Sequence, residues 1–190
     1  ATDRVIEIGS GWGGFALYAA RKYGCHVTTT TISAAQFKEA KKRIAAAGLE
    51  DRITLLPKDY RDLSGKFDKL VSVEMIEAVG HRNLPRFFKQ CAKLLKPGGM
   101  MAIQAITIAD QKYRQYVRSV DFIQRYIFPG GCVPSVSRMV QLIADQTDMV
   151  VRQIDDFGLD YARTIADWRQ RFQASSPLLE KLGSIGPRLE

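Results

Sequence analysis

The stretch Arg4–Phe15, RVIEIGSGWGGF, decides the fold. Val5, Ile6 and Ile8 make a short apolar strand that runs straight into a turn holding Gly9, Gly11, Gly13 and Gly14. Phe15, Leu17 and Tyr18 then open an amphipathic helix. Glycine is needed where backbone turns with positive φ, or where a ligand approaches the main chain closely. Glu7, at the strand end, argues against a phosphate ligand, because its carboxylate repels one. It suits a cationic amino-acid or sulfonium ligand. A lone glycine turn is weak evidence, so a tight strand-to-helix turn with no ligand is the competing reading.

Outward from this stretch, 190 residues with 46% hydrophobic content suffice for one sizeable core. Three cysteines (Cys25, Cys91, Cys132), odd in number and widely spaced, suggest neither a disulfide framework nor a metal site. A reducing, cytoplasmic compartment is expected. No stretch approaches the roughly 18 apolar residues of a membrane span, and none reads as a signal peptide. The net charge of +8 attracts polyanions, either nucleic acid or an anionic lipid surface. The cluster Lys38, Lys41, Lys42 and Arg43 reads as a solvated helix face. No nucleic-acid motif accompanies it, so no nucleic-acid partner is expected.

Strands and helices alternate along the chain, the pattern of a parallel α/β sheet. His26–Thr31 is a second strand, and Ser33 with Gln36 three residues later caps a helix running to about Ala47. Ile53–Leu56 and Lys69–Val73 are the third and fourth strands. A helix over Leu84–Leu95 ends at Pro97-Gly98-Gly99. Met100–Ile106 reads as a fifth strand buried on both faces. The aromatic-rich segment 107–134 is longer than a connection needs and is expected to shape a substrate site, a structural flap being the alternative. A helix over Ser135–Thr147, a sixth strand over Met149–Ile154 and a short helix around Thr164–Phe172 complete the pattern. Ser175–Glu190 contains no strand-like run, and the first strand starts almost at residue 1. The expectation is a trimmed catalytic core over 1–172, with a tail over 173–190.

A strand followed by E-x-G-x-G is the usual signature of S-adenosylmethionine (SAM) methyltransferases, and further motifs narrow the likeness. EIGSGWGG (Glu7–Gly14), TIS-x-x-Q (Thr31–Gln36), EMIEAVG (Glu74–Gly80), LKPGG (Leu95–Gly99), YIFPGG (Tyr126–Gly131) and FGLDYARTIADW (Phe157–Trp168) occur in this order. Together they resemble the cyclopropane-fatty-acyl-phospholipid synthase family, which includes the mycolic acid cyclopropane synthases and related fatty-acid methyltransferases. The similarity covers Arg4 to about Phe172. It implies a Rossmann-like SAM-dependent methyltransferase fold, an α/β architecture with a mainly parallel sheet and helices on both faces, here lacking its final strand.

The resemblance also implies roles. Glu7, Gly9 and Gly11 line the methionine part of SAM. Thr31 and Gln36 reach its ribose, Gln36 substituting for the acidic residue common there. Asp59 and Tyr60 hold the adenine, against the plainer reading of Asp59 as a loop cap, and Val73 completes the cofactor set. Family members carry a bicarbonate ion as general base. Glu77 matches its carboxylate ligand, Tyr161 the phenol that hydrogen-bonds it, and Ile106 a residue offering backbone contacts. Gln104 stands where the family has histidine; it can donate a hydrogen bond but cannot become cationic or shuttle a proton. Ala78 stands where some members have histidine as well. Tyr126, Phe128 and Tyr161 are candidates to stabilise a cation through their faces, ordinary core packing being the alternative for Phe128.

The implied reaction transfers a methylene group from SAM to cis double bonds of phospholipid acyl chains, at an anionic membrane surface to which the enzyme attaches peripherally. Its alternatives are a fatty-acid C-methyltransferase that stops without ring closure, a methyltransferase of a small polar metabolite, and a SAM-binding core without activity. The oligomeric state is not legible.

Overall fold

The computed structural model describes residues 3–181. They form two compact units, one ending at Val151 and one beginning at Arg152.

The first unit is built on five parallel strands: β1 (Arg4–Ile8), β2 (His26–Thr30), β3 (Ile53–Leu56), β4 (Phe67–Val73) and β5 (Leu95–Gln104). Their order is β3-β2-β1-β4-β5. The chain leaves β1 to one side, through α1 (Gly14–Tyr23), and later returns to its other side as β4. Open α/β sheets bind ligands at such a reversal, beyond the carboxyl ends of the strands.

Alternation along β1 separates two apolar layers. Val5 packs with Ala16, Ala19 and Ala20 of α1, Val27 of β2 and Ile44 of α2 (Ala34–Ala46). Its neighbour Ile6 joins Leu70 and the buried face of α3 (Leu84–Leu94), where Leu84, Phe87, Phe88, Cys91 and Leu94 are all buried. Successive strand residues point to opposite faces, so helices cover both sides, as the alternating sequence requires. The expected cap of α2 is present: Ser33 Oγ accepts from the Gln36 amide at 3.3 Å. Cys25, Cys91 and Cys132 are free and buried.

Three expectations need correction. Among the described residues β5 is an edge strand, paired only with β4, and Met100 is 66% exposed, so it is not buried on both faces. Met149–Ile154 forms no strand; Val150 and Ile154 are exposed, and β propensity alone makes no strand without a partner edge. In place of a short helix around 164–172 there is α6 (Gly158–Lys181), which carries Pro177 inside it. The segment 107–134 holds α4 (Asp110–Tyr116) and a π-helical turn, Ile123–Ile127, and is followed by α5 (Val136–Gln146). The tail beyond 181 lies outside the described residues. No helix among those described is long and apolar enough to cross a membrane.

Candidate active site

The glycine turn sits at the sheet's reversal point. Gly9, Gly11 and Gly13 have φ of +95°, +47° and +84°, a region that side chains rarely adopt. The amides of Gly9 and Ser10 donate to the Thr30 carbonyl, which ties the turn to the end of β2. A Cβ at Gly9 would lie 3.0 Å from Met75 Cγ, and one at Gly13 would lie 3.3 Å from Ala40 Cβ, so both positions are closed by packing. A Cβ at Gly11 would meet nothing within 4 Å. That open space beside the main chain is where a ligand can approach.

Glu7 is buried, and Thr29 Oγ1 donates to its Oε2 at 2.5 Å. Burial pushes its carboxyl up to about 7, against the lowering effect of the Thr29 hydrogen bond. A cation placed beside this group would recover the cost of charging it. On the same strand ends, Thr31 Oγ1 donates to Gln36 Oε1 at 2.9 Å and accepts from the Ser33 amide. Thr31 and Gln36 are therefore joined side chain to side chain.

Asp59 and Tyr60 follow β3. The Asp59 carboxylate caps the turn Tyr60–Asp62 and takes both arms of the Arg61 guanidinium at 2.7 and 2.8 Å. The Arg61 pairing holds it below the ordinary carboxylate range. The Tyr60 ring meets Phe87 edge-on at 5.5 Å, and its carbonyl accepts from Gln90. Val73, 40% exposed, closes β4.

Beyond β4 and β5 lies an acidic centre. Glu77 Oε1 accepts from the Ile106 amide at 2.6 Å, while its Oε2 is buried with no hydrogen-bond partner. Burial raises its pKa, and the nearby Glu74 charge adds to that. The Glu77 carbonyl accepts from the Cys132 amide at 2.7 Å, which docks the end of the YIFPGG loop onto this turn. A Cβ at Gly80 would stand 3.1 Å from the Gly130 carbonyl oxygen, so the close approach of turn and loop depends on glycine. A carboxylate oxygen buried without a donor is the fit expected for a bound group that carries a hydroxyl, and bicarbonate meets that requirement.

Gln104, at the end of β5, donates through Nε2 to Glu74 Oε1 at 2.9 Å. Glu74 is the one non-glycine residue with positive φ among those described, at +47°. Such strain persists where surrounding structure fixes it, often at functional sites. The sequence reading passed over Glu74. Its signal was available: a second carboxylate three residues before Glu77, in the turn after a central strand. Met75, which packs against Gly9, was passed over too.

Tyr126 and Phe128 are 63% and 67% exposed, so core packing does not account for Phe128. Tyr161 belongs to the second unit, on α6, where its ring lies edge-on to Trp168 at 6.5 Å.

Comparison with known proteins follows the same lines. The family model of mycolic acid cyclopropane synthetase matches residues 1–184. Tuberculostearic acid methyltransferase UfaA1 of Mycobacterium tuberculosis is 40% identical over 181 residues, covering 95% of this chain and 42% of that protein. Cyclopropane-fatty-acyl-phospholipid synthase of Escherichia coli K12 is 41% identical over 174 residues, covering 92% of this chain and 43% of that protein. A crystal structure of mycolic acid cyclopropane synthase CmaA1 complexed with SAH and CTAB superposes with a TM-score of 0.87 at 24% identity, over 96% of this chain and 67% of that one. The last match shows the fold. The chain spans less than half the length of these two curated relatives.

Proposed function

The chain belongs to the mycolic acid cyclopropane synthetase family, and we propose that it carries the site for SAM-dependent methylene transfer to cis double bonds of phospholipid acyl chains. The observation that carries this reading is a carboxylate beyond the carboxyl end of each of two neighbouring strands or within its last residues: Glu7 of β1, buried beside an open glycine turn, and Glu77 after β4, fixed by Ile106 with one oxygen unpartnered.

SAM supplies an electrophilic methyl group when bound. Glu7 would hold the cationic end of its methionine part, and the bare backbone at Gly11 would let that part approach. Thr31 and Gln36 would reach the ribose, while Asp59, Tyr60 and Val73 would border the adenine. Methyl transfer to the alkene leaves a carbocation on the acyl chain. The exposed faces of Tyr126 and Phe128 suit such a cation, an interaction worth roughly 2 kcal/mol once desolvated. Removing a proton from the new methyl group closes the ring. Bicarbonate is the base implied by the family motifs, and the unpartnered Glu77 oxygen would accept its hydroxyl hydrogen. The net charge of +8 supports work at an anionic membrane surface, and three free thiols support a cytoplasmic setting.

A second reading rests on Gln104. Its amide is committed to Glu74 and it carries no charge, so it offers weaker support to an oxyanion than a cationic histidine would. A fatty-acid C-methyltransferase that stops before ring closure is the alternative.

Glu77→Gln separates site from scaffold. SAM affinity measured by calorimetry is expected to stay within about twofold, while turnover falls by roughly 10²–10⁴, the usual contribution of a positioned base. Unchanged turnover would remove Glu77 from the reaction.

A further inference from the structure

The segment between β5 and α5 exposes apolar side chains on a scale that packing does not explain. Val120, Phe122, Ile123 and Ile127 are each between 49% and 72% exposed. Contiguous apolar surface of this kind marks an interaction site. The turn that presents it is fixed locally: Asp121 Oδ1 accepts from the Gln124 amide at 2.7 Å, and Gln124 Oε1 accepts from the Asp121 amide at 3.1 Å. Gln124 Nε2 reaches the Gly131 carbonyl, which ties the turn to the loop docked on Glu77.

Directly before this apolar run, Gln111, Arg114, Gln115, Arg118 and Ser119 make one exposed polar face of α4 and the residues after it. Arg114 and Arg118 are exposed, four residues apart, and neither forms an ion pair among the described residues. The acidic residues of the segment are already engaged: Asp110 by Ser137, Asp121 by Gln124. Lys112 and Arg125 add further positive charge.

We propose that 110–123 is a membrane-docking surface for an anionic bilayer. Arg114 and Arg118 hold lipid phosphate, while Val120, Phe122 and Ile123 enter the boundary between headgroups and acyl chains. Basic residues beside exposed aromatic and aliphatic ones are the composition of a surface that lies in the membrane interface. Guanidinium groups pair well with phosphate. The proposal rests on the lipid reading of the site, and adds which face meets the lipid and how it is held beside Glu77.

The test is flotation of the protein with vesicles of phosphatidylcholine alone, or with 30% phosphatidylglycerol added (about one lipid in three anionic, enough for a surface potential). The parent is expected to float with the anionic vesicles and to be released as salt rises from about 0.1 to 1 M. R114Q/R118Q should weaken partitioning roughly 30-fold. V120S/F122S should weaken it on both vesicle types. Both variants should keep parental SAM affinity and the parental melting temperature, and R114Q/R118Q should keep parental turnover on detergent-dispersed lipid. Variants that float like the parent would overturn the proposal, as would a parent that ignores vesicles but binds an acidic carrier protein through the two arginines. A parent that floats as expected yet modifies no lipid in either form supports the surface and overturns the activity.

Discussion

Glu7 shows how one buried side chain ties the stability of the fold to pH. Its folded pKa of about 7 lies above the ordinary 4.5 of a glutamate, because burial opposes its charge. Between those values the folded protein holds a proton that the unfolded chain has released, so stability falls as pH rises. The penalty is absent below about 4.5 and complete above about 7, at roughly 3 kcal/mol. Thermal melts without ligand are therefore expected to decline across this window, and Glu7→Gln should flatten the decline; equal slopes would contradict the assignment. SAM affinity should rise over the same window, since a cation binds the ionised form. Gly11 makes a second test. Gly11→Ala meets no neighbour within 4 Å but occupies a φ of +47°, so a stability loss of about 1 kcal/mol is expected. A ligand-affinity loss well beyond tenfold in calorimetry would locate the cofactor at this backbone. The glycines were legible in sequence because only glycine takes these angles cheaply. Glu74 was not, because its positive φ is imposed by tertiary structure on a residue that gives no sign of it.

At the scale of elements, the strand ends assemble the chemistry. β1 supplies Glu7, β4 leads into Glu74 and Glu77, and β5 leads into Gln104 and Ile106. The hydrogen bond from Gln104 to Glu74 predicts a product effect. Gln104→His should restore a cationic donor beside the acidic turn and shift single-turnover products toward the ring. A product that is cyclopropane alone in the parent, and unchanged by the substitution, would show that Gln104 does not limit closure. The supporting helix α3 is read easily, since its apolar residues recur at helical spacing and Phe88 is fully buried. Phe88→Ala is expected to cost about 3–5 kcal/mol in denaturant unfolding. The sixth strand misled for the opposite reason. Val150, Val151 and Ile154 have strand-like chemistry, but a strand exists only where an edge accepts it, and sequence pattern does not report edges. α6 extends past both ends of the short helix expected around 164–172 and carries Pro177 inside it, where proline removes a helical hydrogen bond.

Taken as a whole molecule, the first unit was the most legible part, because strand–helix alternation and the position of the first glycine turn together determine a parallel sheet with one reversal point. The acidic centre was legible only through motifs, since Glu77 and Ile106 are 29 residues apart and meet only once β4 and β5 pair. The apolar surface near residue 120 was read as a substrate-site insertion, and its exposure became visible only in three dimensions. The central claim, that this site moves the SAM methyl carbon onto a lipid alkene, has one direct test. The protein is given SAM labelled with a CD₃ group and a phospholipid with a defined cis double bond, and the acyl chains are analysed by mass spectrometry. The account predicts an added carbon that keeps two deuteriums, the third having left as the deuteron removed at ring closure, and predicts that Glu77→Gln suppresses it. Acyl chains that acquire no labelled carbon would contradict it.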